Sequence, residues 1–246
     1  MSSRQEEKER RRQERLEQEQ KAAAASARTR RLQIVGGGVL VAAVLVVVAV
    51  LVSSGGGDDK SGPERKPTGD TVAIPKPGPN AVASKLDQAA KAAGCVVLSP
   101  ASEGSDHVTT KVTYKSNPPT SGNHNPTPAS DGIYEPGNTP ATENLVHSLE
   151  HGRIQIQYKP GTPERQVSQL ETLFGEKSDS EYGVPIENGT YTQLFQNGTR
   201  MPYAVAATAW THILGCKAMN NQVFDAIRAF RKRYTLQAPE KILQPE

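Results

Sequence analysis

The chain is poor in aromatic residues, at 5% of the sequence, and its formal charge of +3 is small for 246 residues. Nucleic-acid recognition draws on a clustered basic face interleaved with aromatics, and no stretch here supplies one. The basic excess falls in the first 31 residues and in 228–233. Only two cysteines occur, Cys95 and Cys216, so a Cys-x-x-Cys redox centre is excluded. Ser121 sits in Thr-Ser-Gly and lacks the Gly-x-Ser-x-Gly frame of a nucleophile elbow. No Ala-x-Ala follows Val52, which argues against a cleaved signal peptide.

What is present falls into regimes. Residues 1–31 carry ten Lys/Arg against six Glu and no aromatic residue, with Glu6/Arg10, Glu7/Arg11 and Glu17/Lys21 at helical spacing. Polar all round, this segment reads as a solvated cytoplasmic tail. Ile34–Val52 is a run of nineteen uncharged residues, mostly Val, Ala, Leu and Gly. That is long enough to cross a bilayer core of about 30 Å, so 32–53 is expected to be a transmembrane signal-anchor helix. Arg28, Arg30 and Arg31 abut it on one side and Ser-Ser-Gly-Gly-Gly-Asp-Asp on the other, which keeps the N-terminus in the cytoplasm. The expected location is the plasma membrane, single-pass, with the C-terminal part extracytoplasmic. Residues 54–79, rich in Gly, Pro, Lys and Asp, read as a flexible tether.

Residues 80–246 are expected to form one α+β domain, a small sheet with flanking helices. A helix is predicted from near Asn80 through Val82, Leu86, Ala89 and Ala93 to a stop at Gly94, followed by a short strand at 96–98. Residues 107–114 alternate and read as a strand, with His107 an exposed edge residue. Lys115–Ala141, with six prolines and three glycines, is a long irregular segment that would hold His124 in a stiffened backbone. Pro163 suits the start of a helix that runs to Phe174 with Val167, Leu170 and Phe174 on one face. Gly183–Phe195 is predicted to be loop with one strand. Tyr203–Trp210, apolar and rich in small residues, fits a central strand. Asn220–Tyr234 reads as an amphipathic closing helix with Val223, Phe224, Ile227 and Phe230 on one stripe and its arginines elsewhere. In the expected oxidising compartment the two cysteines pair most economically as a disulfide, worth about 4 kcal/mol in the chain-entropy model, the alternative being two buried thiols. The Asn188 and Asn197 sequons read as turns.

The densest chemistry lies in Asn144–Tyr158, which holds two of the five histidines. If Thr142 caps a short helix ended by Gly152, His147, Glu150 and His151 fall near one face. Ile154, Ile156 and Tyr158 then alternate with Arg153, Gln155 and Gln157, the signature of a half-buried strand, which would place the site on a sheet edge. His124, His147 and His151 suit zinc or copper, and a soft fourth ligand from Met201, or from Met219, would tilt the choice to copper by a small margin. The same histidines could instead be structural, capping the helix and bonding loop carbonyls. His147–His151 also matches His-x-x-Glu-His, in which Glu150 would be the base of a zinc hydrolase; an immediate helix stop at Gly152 argues against it. His212, four before Cys216, could ligate a metal only if that thiol were free.

Tyr114-Lys-Ser-Asn-Pro-Pro-Thr-Ser-Gly-Asn-His124, Gly132-Ile-Tyr134, Leu145-Val-His147-Ser-Leu-Glu-His151-Gly152 and Ala209-Trp210 together resemble the signature of a bacterial family of membrane-anchored proteins catalogued as domain of unknown function 3105. The resemblance spans roughly 94–234 and implies a one-span anchor and an extracytoplasmic domain, with no assigned activity. The expectation is therefore a non-enzymatic, membrane-anchored protein with a His-lined site for copper or zinc. The alternative is an envelope interaction module that docks a protein partner near the proline loop.

Overall fold

The computed structural model describes residues 72–244, all within the unit Lys60–Glu246. The expected tail 1–31, the span 32–53 and the tether as far as residue 71 lie outside the described residues. Among those described, no helix is long and apolar enough to cross a membrane.

The fold is α+β, with a six-stranded mixed sheet and four α-helices among the described residues. The sheet strands are β1 (Cys95–Leu98), β2 (Gly132–Tyr134), β3 (Ile154–Tyr158), β6 (Thr192–Gln196), β7 (Val205–Ala209) and β8 (His212–Cys216), in the order β1-β8-β7-β3-β6-β2. β4 (Ser178–Asp179) and β5 (Pro185–Ile186) form a separate two-stranded ribbon. The helices are α1 (Leu86–Ala93), α2 (Thr142–Glu150), α3 (Glu164–Gly175) and α4 (Asn221–Tyr234), with a 3-10 turn at Ala83–Lys85. β3 pairs antiparallel with β7 and parallel with β6. It is thus interior to the sheet, and the expected edge position is corrected.

Pattern and packing agree best where one face is apolar. Ile154, Ile156 and Tyr158 of β3 share a core with Leu194, Val205, Ala207 and Leu214 of their neighbours, covered by α1, α3 and α4. In α1 the buried set is Leu86, Ala89, Ala90 and Ala93. Small side chains at that spacing let α1 lie close against α4. Gly94 closes α1 at φ +69°, the left-handed conformation that glycine adopts without a Cβ penalty. Asn220 caps α4 by accepting from the Gln222 amide. Each fully buried Leu or Ile here contributes about 1.5–3 kcal/mol.

The opposite face of β3 was expected to meet water, and it does not. Arg153 is 0%, Gln155 2% and Gln157 3% exposed. Alternation reports polarity; burial of the polar face depends on what the rest of the chain lays over it. Here α2 and the proline segment cover it, and the amides find one another. Gln155 Nε2 donates to the Leu145 carbonyl of α2 at 2.7 Å and to Gln193 Oε1 at 3.0 Å. Gln157 Nε2 donates to Thr208 Oγ1, and Asn197 Nδ2 to Gln157 Oε1 at 2.7 Å. A buried polar network of this kind is tolerable only when its members are satisfied.

Three further expectations change. Residues 107–114 form no strand; His107 makes only an isolated parallel bridge with His124. Thr142 is the first helical residue of α2, behind Ala141, and does not cap it. Arg228 and Arg231, assigned to the wet side of α4, are buried: Arg228 pairs with Glu176, and Arg231 donates to the Leu173 and Phe174 carbonyls that end α3.

Cys95 and Cys216 are register partners on β1 and β8 and form the disulfide. It closes a loop of 121 residues, worth about 4–5 kcal/mol in the chain-entropy model. Residues 72–79, read as the end of the tether, lie along the helices: Thr172 Oγ1 donates to the Val72 carbonyl, Arg228 Nη2 to that of Pro75, and the Gly78 amide to Asp225 Oδ1.

Candidate metal centre

Four of the five histidines meet in one chain of ring contacts. His107 and His124 lie 5.0 Å apart between centroids, His107 and His147 4.7 Å, His124 and His147 4.8 Å, and His147 and His151 4.3 Å. Each comes from a different kind of local structure. His124 sits in the proline segment, bridged to His107 by Val108 N donating to its carbonyl at 2.7 Å and by its own amide donating to the Asp106 carbonyl at 3.0 Å. His147 and Glu150 come from the last turn of α2.

The loop is held to the helix by named bonds. Glu143 of α2 accepts from the Val112 amide at 3.0 Å and from Lys111 Nζ at 3.2 Å. Burial opposes ionisation of Glu143, but that amide and that ammonium outweigh it and hold the carboxyl below its usual range. Ser148 Oγ donates to the Ala129 carbonyl and accepts from the Ala129 amide. Tyr114 OH donates to the Asn123 carbonyl, and Glu103 accepts from the Lys115 and Ser116 amides. Trp210 stands edge-on to His124 at 6.2 Å and packs with Val146 and Leu149 of α2.

At the centre, one ligand atom from each of His107, His124, His147 and Glu150 lies within 4.8 Å of the others. Donors on a tetrahedral zinc stand about 3.4 Å apart, given bonds of about 2.0–2.1 Å. The tautomers suit ligation: the Gly122 carbonyl lies 2.8 Å from His124 Nδ1 and the Asn125 carbonyl 2.6 Å from His147 Nδ1. Each Nδ1–H is then donated to backbone, which leaves Nε2 as the lone-pair donor, the usual outer support of a metal-bound imidazole. Burial, with the neighbouring imidazoles, pushes His147 down to about 4 against the opposing Asn125 carbonyl, so its ring is neutral at pH 7. Glu150 is 4% exposed at the C-terminal, partially negative end of α2. A carboxylate buried there is stabilised by a cation.

Fully buried His124 Nε2 lies 3.0 Å from Glu150 Oε2, yet makes no hydrogen bond of acceptable direction. The distance satisfies an ion pair while the angle does not satisfy a donor. A hydrogen bond weakens steeply when bent, so this nitrogen gains no directed bond from the contact.

Of the residues expected from sequence, His124 and His147 join the cluster. His151 adjoins it, its Nε2 2.9 Å from His147 Nε2 and 3.3 Å from Glu240 Oε2. Met201 is buried in the turn after β6, its amide donating to Asn197 Oδ1, and Met219 packs against the apolar core. His107, expected on a strand edge, is exposed but faces the other donors; its scarcity as one of five histidines was the only signal in the sequence. His212 stacks on Tyr234 at 4.1 Å, and its Nδ1 is 3.1 Å from Ser99 Oγ; the disulfide removes Cys216 as a ligand partner for it. In a His-x-x-Glu-His hydrolase the glutamate acts on metal-bound water beside the two histidines. Here Glu150 lies against His124.

The family model described as Protein of unknown function (DUF3105) matches residues 107–245, more than half of the chain. The chain belongs to this family. The match contains His107, His124, His147 and Glu150, and runs through the C-terminal segment that carries Glu240. No curated protein and no solved structure matches the chain.

Proposed function

We propose that this domain is a metal-binding module in which His107, His124, His147 and Glu150 hold one transition-metal ion, on a chain anchored by a single N-terminal span with the domain on the extracytoplasmic side of a bacterial plasma membrane. The anchor and the orientation rest on the uncharged run Ile34–Val52 and its arginine flank. The observation that carries the metal reading is the buried Nε2 of His124, without a well-directed partner, among three other donors. The four donors are nitrogen and oxygen, which puts zinc ahead of copper. This reverses the order expected when a methionine sulfur was the fourth ligand.

A second reading has its own support. Both ring nitrogens of His124 face oxygens, those of the Gly122 carbonyl and Glu150, so that the protein alone would hold the ring, the cluster would be structural and the domain an envelope docking module. Elemental analysis separates the two. The purified full-length chain, dialysed against trace zinc and copper, is expected to retain about one equivalent of metal, and a still-folded His124→Ala/His147→Ala variant none. A folded parent that retains neither metal would overturn the metal reading and leave the docking one.

A further inference from the structure

The contact of His151 with Glu240 is unused by the four-donor cluster, and it is built rather than incidental. Glu240 belongs to residues 236–244, which return across the C-terminal end of α2. This strap is pinned along its length: the Leu236 amide donates to the Gly152 carbonyl at 2.9 Å, the Glu240 amide to the Glu150 carbonyl at 3.1 Å, Arg153 Nη1 to the Ile242 carbonyl at 2.7 Å, and Tyr191 OH to the Leu243 carbonyl at 2.6 Å. Leu236 is fully buried, and a Cβ on Gly152 would lie 2.6 Å from Leu236 Cα. Glu240 therefore presents its carboxylate from a fixed backbone.

His147 and His151, four apart at the end of α2, bring their Nε2 atoms to 2.9 Å, and Glu240 Oε2 lies 3.3 Å from His151 Nε2. Both spacings are at or below the edge of a tetrahedral zinc site, about 3.4 Å. Two imidazoles and a carboxylate are a donor set that zinc accepts, with water as the fourth ligand. The side chains open outward, Glu240 being 55% and His151 11% exposed, against 0% for His124.

We propose that His147, His151 and Glu240 form a second, outer position for a divalent cation such as zinc, sharing His147 with the inner cluster. Because one lone pair on His147 Nε2 serves both, the two positions are alternatives, and an ion moves between them by exchanging His124, His107 and Glu150 for His151 and Glu240. This rests on the inner cluster only for the exchange; the outer trio can bind alone.

The test uses the full-length chain and zinc titrations read by competition with a chromophoric chelator. With the inner cluster disabled by His107→Ala, an exposed position where folding is undisturbed, or by His124→Ala, residual binding of about one zinc is expected, and adding Glu240→Gln or His151→Ala weakens it at least about 100-fold, the upper end for disturbed metal sites. Residual binding that is absent, or that survives both additions unchanged, overturns the outer site. The inner reading fails separately, if His124→Ala leaves the parent's affinity and stoichiometry intact. Loss of binding in His151→Ala alone with His124→Ala unaffected would leave the outer trio as the real site.

Discussion

On one face of β3, Ile154, Ile156 and Tyr158 pack beneath α1, α3 and α4; on the other, Gln155 and Gln157 lie buried beneath α2 and the proline segment, and Arg153 beneath Asp131 and residues 242–244. The first layer is held by apolar area, which is non-directional and tolerates repacking. The second combines the smaller apolar clusters of Val146, Leu149 and Trp210 and of Tyr134, Leu145 and Phe195 with a network of hydrogen bonds, which fix direction as well as distance. The donors of the candidate metal centre all belong to the second layer. Placing four ligand atoms within a few ångströms requires that directional precision, and a sheet with two apolar faces would not supply it.

This contrast can be broken first on the apolar side. Leu170→Ala, at a fully buried site of α3, is expected to cost about 2.7–5 kcal/mol in chemical denaturation. The folded fraction should still bind metal with the parent's affinity; a selective loss of affinity would show that the two layers are not separable. Gln155→Ala on the other face removes the bonds to the Leu145 carbonyl and to Gln193 Oε1, a cost of about 1–3 kcal/mol. Here the expectation reverses: metal affinity should fall although the fold persists, because the lost bond held α2. Unchanged zinc retention in this variant would refute the positioning role of the amide network.

A pH titration of the metal-free chain sharpens the comparison further. His147 is held down at about 4, below the ordinary histidine value of about 6.5. The unfolded state therefore binds the additional proton between those values, so this contribution is fully present above about pH 6.5 and is lost as the pH falls toward 4. His147→Gln should flatten the stability profile in that window; an identical slope would assign the pH dependence elsewhere. The smallest effect is expected from Lys111→Ala. Its ammonium is 84% exposed although it pairs with buried Glu143, and such pairs are worth about 0–1 kcal/mol. The Val112 amide keeps Glu143 in place, so zinc retention should not change.

Much of the apolar layer was readable because its signals are local. Leu86, Ala89 and Ala93 at helical spacing, Gly94 at the stop and Asn220 before α4 each act within a few residues of chain. β8 was not anticipated, since His212–Cys216 shows no clean alternation and owes its place to pairing with β1 and β7. The site was half legible. His124 and His147 were visible as a braced loop and a helix end, whereas His107 reached them through a non-local bridge that no spacing announces.

The sequence by itself determined the helices, the alternation of β3 and the family, and offered the disulfide as the economical pairing of its two cysteines. The tertiary structure decided that β3 is interior, that its polar face is buried, that Arg231 closes the end of α3, and that Glu240 returns to His151. The division is physical. Periodicity and capping depend on neighbours within a turn or a strand, while burial of a polar face and convergence of donors depend on which distant segment covers them, and that is set only when the whole chain packs.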